Sequence, residues 1–180
     1  MNFFGHLKTI TKHRHAVMSN CFKCGIYKRG LLHDLSKYNP VEFIRGVRLY
    51  QGGTRSPNEK ERELYGYSAA WLHHKGRNRH HWEYWNDYNP KTARIEPCRM
   101  PEVFLTEMFC DRIAASKIYK GKNYTDSAPL DYYLMRRDGN GMHEETAAKI
   151  EFLLRMLAEK GETETFAYVR KNRKRLYDVD

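Results

Sequence analysis

Gly30-Leu31-Leu32-His33-Asp34-Leu35-Ser36-Lys37 is a short apolar segment with an imidazole and a carboxylate side by side at its centre. The spacing predicts a short helix carrying the pair. Imidazole nitrogen and carboxylate oxygen together suit a first-row transition ion. Working outward, more residues of ligand type fall in neighbouring helical segments: His13 upstream, His73-His74 and His80-His81 downstream, and Asp111 beyond them. Several helices contributing to one set predict an all-α, single-domain bundle over residues 1–180.

The flanking segments read as helices too. Ile10, His13, Val17 and Cys21 recur at spacings of three and four, and Gly25 offers a stop. His13 shares that apolar face, with His15 as the neighbour able to replace it. Asn39-Pro40-Val41-Glu42 has the order of an N-cap, an N1 proline and an acidic N3 residue. That helix should run to Gly52-Gly53. Ser56-Pro57-Asn58-Glu59 repeats the device and predicts one long helix through Trp71 to His74, ending at Gly76. Residues 77–99 read as irregular, rich in Asn, Pro and aromatics. Pro101 opens a helix stopped near Gly121. Segments 128–138, 143–160 and 163–177 complete the set, broken by Gly139, Gly141 and Gly161. No alternating strand pattern of useful length appears.

Asp111 is the sharpest single candidate. Phe104, Met108, Asp111, Ala115 and Ile118 share one helical face, and a carboxylate there is costly to bury unless paired or metal-bound. A salt bridge to arginine is the plain alternative. For the histidine pairs the alternative is an aromatic cluster with Trp82, Tyr84 and Trp85.

Composition frames these readings. A chain 41% hydrophobic should fold rather than stay disordered. It has no run of about 18 apolar residues, so no membrane span is expected. The start lacks a basic, then apolar, leader, which makes the cytoplasm the default. The net charge of +10 fits a phosphate-bearing or nucleic-acid partner, or a plain solvated surface. Arg170, Lys171, Arg173, Lys174 and Arg175 read as such a surface. Lys75, Arg77 and Arg79 lie among the histidines and suit an anionic substrate. Cys21-Phe22-Lys23-Cys24 has no second CxxC, so reduced buried thiols are expected of the four cysteines, with a mixed metal site using Cys98 or a histidine as the alternative.

His13 with Val17, His33-Asp34-Leu35-Ser36-Lys37, the downstream histidines and Cys110-Asp111-Arg112-Ile113-Ala114-Ala115 together resemble the HD-domain superfamily of metal-dependent phosphohydrolases. The resemblance covers roughly residues 8–120. Through Trp71–Trp85 the chain is similar, more closely, to a family of bacterial HD-like proteins. The resemblance implies a helical bundle of the HD-domain type. It implies one divalent metal (Mn, Fe, Co, Ni or Zn) on His13, His33, Asp34 and Asp111. His73, His74, His80 and His81 would supply a second ion. Lys37 corresponds to a lysine near the substrate phosphate. The tripeptide Gly-Tyr-Pro of cyclic-di-nucleotide enzymes is missing.

The expected activity is hydrolysis of a small phosphate-containing substrate such as a nucleotide, by water activated at the metal. Asp34 and Lys37 would be catalytic, and Lys75, Arg77 and Arg79 substrate-binding. Two other classes stand beside it: a basic helical nucleic-acid-binding module, and a non-catalytic protein stabilised by a closed metal site.

Overall fold

His6, Ile10, His13, Val17, Asn20, Cys21 and Cys24 form the buried stripe of α1 (Phe3–Cys24). Gly25, at φ 80°, closes that helix by donating its N–H to the Cys21 and Phe22 carbonyls. The computed structural model describes residues 1–136 and 141–172. It continues through α2 (Tyr27–Leu32), a 3-10 turn (Leu35–Tyr38), α3 (Pro40–Arg48), α4 (Pro57–Tyr65) and α5 (Ala69–Lys75). Next come a second 3-10 turn (Trp82–Tyr84), the strands β1 (Asn86–Asn89) and β2 (Arg94–Pro97), α6 (Glu102–Lys120), α7 (Ala128–Arg136) and α8 (Glu144–Lys171).

The core lies where α1, α6 and α8 meet. Val17, Cys21 and Cys24 face Leu105, Phe109 and Ile113, with Ile150, Leu154 and Leu157 closing the third side. Each large apolar side chain buried there contributes roughly 1.5–3 kcal/mol. Toward the N-terminus of α1 the same stripe turns polar, at His13 and His6, and α3 packs there with α5 beside it. Gly46 allows the approach: a Cβ on it would lie 2.1 Å from the His6 ring.

Most expected boundaries hold; the helix expected to reach Gly52-Gly53 stops at Arg48, capped at Leu49, and three further expectations are corrected. The helix foreseen from Ser56 to Gly76 is two helices. Gly66, at φ 78°, ends α4, and Ser68 restarts the chain by accepting the Trp71 N–H. Buried Glu61 fixes that corner, taking hydrogen bonds from Ser68 Oγ (2.6 Å) and the Ala70 N–H (3.2 Å). The helix foreseen over Gly30–Lys37 breaks at the His-Asp pair. Within 77–99 a two-stranded antiparallel hairpin pairs Asn86 with Pro97 and Asn89 with Arg94. Four-residue strands are too short for an alternating pattern to register. The architecture is mainly α, with this hairpin as the exception.

Gly161 kinks α8 at φ 75°, where a break was expected. The predicted helix ends at 137–138 and 173–177, Gly139, and Arg173, Lys174 and Arg175 lie outside the described residues. No described helix is long and apolar enough to cross a membrane.

Candidate metal centre

The backbone leaves helical geometry at the residues that matter most. His33 is extended (φ −54°, ψ 129°) and Asp34 is left-handed (φ 53°, ψ 29°). Aspartate tolerates this region better than most non-glycine residues, yet it remains a strained choice. Arg14 steadies the bend by donating to the His33 carbonyl (2.9 Å) and the Leu31 carbonyl (3.0 Å). As a result both side chains turn inward and are 1% exposed.

Two sets of ligand atoms meet at the Asp34 carboxylate. On its Oδ2 side lie His33 Nε2 (3.3 Å) and His13 Nε2 (3.7 Å), and His13 Nε2 is 2.9 Å from Asp111 Oδ1. On its Oδ1 side lie His74 Nε2 (3.3 Å) and His80 Nε2 (3.5 Å), with His81 completing a four-residue cluster. His80 Nε2 also lies 4.0 Å from Asp111 Oδ2. The Nε2 atoms of His13, His33, His74, His80 and His81 and Asp34 Oδ1 are all buried without a hydrogen bond of proper geometry. Orphaned polar atoms on this scale are costly in a protein interior. A cation at either set would satisfy the orphaned atoms of that set, so the donors fit a metal.

A model of a family of unknown function, DUF5662, matches residues 2–156. The chain belongs to the DUF5662 family. No curated protein and no solved structure matches it. The matched stretch contains every residue of both ligand sets.

In this DUF5662 chain the far sides of His33, His74 and His80 each face a second carboxylate. Glu107, fully buried on α6, accepts from His33 Nδ1 (2.9 Å) and Arg29 Nε (2.6 Å), and lies 3.3 Å from His80 Nδ1. Glu42 on α3 accepts from His74 Nδ1 (2.8 Å). Pinning Nδ1–H in this way presents Nε2 to the centre and raises its basicity. Neither glutamate stands out in the sequence. Glu42 reads there as an N-terminal helix residue, and in the fold it completes no capping box. Glu107 precedes Asp111 by four residues on one helix face, and that spacing was the available signal.

The charges follow from burial and these partners. Burial alone would lower His33, but the Asp34, Glu107 and Asp111 carboxylates push it up to about 10. His74 is also raised against its burial, by Asp34 and Glu42. Burial and the Lys37 charge lower His13, and burial with the neighbouring His80 and His74 lowers His81. Burial would raise Asp34, yet His33, Lys37 and His74 hold it well below the usual carboxylate range. Burial would likewise raise Glu107, and its imidazole partners bring it to about 2.

The fold gathers His13, His33, Asp34, His74, His80, His81 and Asp111 together, as expected. His15 is exposed, so His13 is the residue that faces inward. His73 turns instead to Glu42, 2.6 Å away. Lys37 reaches Asp34 Oδ2 at 2.6 Å, across a 3-10 turn rather than along a helix. Of the basic group, Lys75 acts on Glu83. Arg79 stacks over the Tyr84 and Phe104 rings, and Arg77 folds back to the His73 carbonyl. Cys21, Cys24 and Cys110 are buried and reduced in the core, with Cys24 and Cys110 Sγ 3.6 Å apart, whereas Cys98, expected to be buried with them, is exposed beside the hairpin. No described ligand cluster contains a cysteine.

Proposed function

We propose that this chain is a metal-dependent phosphohydrolase of the HD-domain type, acting on a small phosphoester such as a nucleotide. What carries the reading is the convergence of four buried imidazole nitrogens, none with a well-formed hydrogen bond, on one buried carboxylate, with His81 beside them. His13, His33, Asp34 and Asp111 would hold one divalent transition ion, and His74, His80, His81 and Asp34 a second. Bound there, a divalent ion lowers the pKa of water and draws charge from a phosphoryl oxygen.

The chain's own groups supply the rest. Asp34 and Asp111 stay ionised and accept hydrogen bonds from the attacking water, orienting it. Asp111 has an 18% exposed side chain, and gives this water a way in. The Lys37 ammonium balances charge that grows on the phosphoryl oxygens. Glu107 keeps the His33 and His80 rings from rotating, and Glu42 does the same for His74.

A second reading, a closed metal site that only stabilises the fold, is favoured by the burial of His33, Asp34 and His80. One experiment separates the two. Protein loaded with manganese or iron is analysed for metal and assayed on a panel of nucleotides and phosphoesters. Asp34→Ala and Asp111→Ala should lose metal together with activity. Lys37→Ala should keep its metal and lose on the order of a hundredfold in turnover. Loaded protein that cleaves nothing in the panel would favour the closed site. Full metal content in both aspartate variants would sink the ligand assignment.

A further inference from the structure

Arg112 follows Asp111 on α6 and has no ion-pair partner among the described residues. Its guanidinium lies 5.5 Å from the centre of the Tyr133 ring, and its one hydrogen bond goes to the Met108 thioether at 3.9 Å. Its Nε is buried with nothing to donate to. Across from it, half-buried Glu83 follows the ligand pair His80-His81 by two residues and lies in the fields of Lys75, Arg112 and Arg62 without ion-pairing to any of them. Arg62 in turn sits 5.6 Å from the Trp71 ring, which packs edge-to-face with His81 at 4.7 Å between centroids. Three cations therefore share one carboxylate beside the ligand cluster. The Asp111 and Glu83 carboxylates favour the Arg112 charge at a distance, yet a partly buried guanidinium with no direct ion pair leaves N–H donors that an anion would complete.

We propose that Arg112, backed by Arg62 and Lys75, is the anion subsite that grips the free oxygens of a substrate phosphoryl group, and that the excess of positive charge selects a phosphomonoester dianion over a diester. This rests on the hydrolase reading above. A planar guanidinium offers paired N–H donors that match two phosphoryl oxygens, which an ammonium cannot do. Tyr133 and Met108 fix the approach of the fork from one side.

The test uses inorganic phosphate and dimethyl phosphate as probes, titrated into metal-loaded and metal-free protein, with metal content measured separately. Wild type should bind phosphate more tightly than dimethyl phosphate. Arg112→Gln should weaken phosphate by about tenfold or more, the worth of one charge-assisted hydrogen bond. It should keep full metal content and, without phosphate, melt no lower than wild type. Arg112→Lys should recover only part of the affinity. Phosphate binding by either variant equal to wild type would overturn the proposal, and so would a wild type that binds no phosphate. Absence of metal would count against the hydrolase reading alone, because the metal-free titration still reads Arg112.

Discussion

Asp34 places two demands on one side chain: a left-handed backbone and a buried charge shared by four imidazoles. Its neighbour His33, pushed up to about 10, keeps its proton at neutral pH when no metal is present. An imidazolium cannot ligate, so metal loading near pH 7 should release at least one proton. Calorimetry in two buffers of different ionisation enthalpy reads that number directly. The sign is fixed by linkage. A folded value above the usual 6.5 stabilises the metal-free protein below that pH, and the benefit fades as pH rises toward about 10. Metal affinity should climb over the same interval. Metal-free protein that gains stability with rising alkalinity would contradict the pairing of His33 with its carboxylates. At this scale the sequence was informative about the ligands themselves, since imidazoles and carboxylates among apolar residues are conspicuous. Their carboxylate supports were hidden, because Glu42 and Glu107 look like ordinary helix residues until α3 and α6 are seen packed against the centre.

Among the elements, the corner between α4 and α5 sets where His74 and the loop to His80 begin. Ser68 is the N-cap of α5 and also donates to Glu61. Ser68→Ala should cost about 1–3 kcal/mol, from the lost cap and a buried carboxylate short of one donor. Chemical denaturation measures it, and metal occupancy on the His74 side should fall with it. A change within a few tenths of a kcal/mol would mean that the corner is held by packing alone. This corner was not legible in the sequence. The stripe Leu64, Tyr67, Trp71 and His74 keeps helical spacing straight across Gly66, so periodicity masked the break. The ends at Gly25, Pro101 and Gly121 were legible because proline and glycine act through backbone geometry, whatever packs on them. The hairpin at 86–97 was missed because only tertiary placement distinguishes so short a ladder from coil.

Across the whole molecule, the candidate ligands come from α1, the bend after α2, α5, the loop beyond it and α6. A bound ion therefore ties together elements separated by nearly a hundred positions, and its binding energy becomes folding energy. At a free metal concentration of 1,000 times Kd the gain is about 4 kcal/mol, or a shift in Tm on the order of 10 °C for a chain of this size. Chelation should lower the melting temperature by that amount, and manganese, iron or zinc should restore it. An unchanged melting curve after verified metal removal would show that the centre is not coupled to the fold. The mainly helical build and the buried thiols were readable from pattern and composition. The convergence at Asp34 was not, because chain spacing alone cannot say which helix ends meet.

The three core cysteines lie on the same two helices, α1 and α6, as His13 and Asp111, yet none joins the ligands. A centre built only of nitrogen and oxygen donors offers no sulfur for peroxide to oxidise or for mercurials to capture. Such reagents meet exposed Cys98 first, and its modification leaves every ligand in place. Any sensitivity of the centre to oxidants would then belong to a bound ion, so manganese-loaded and iron-loaded protein should age differently in air while keeping the same scaffold.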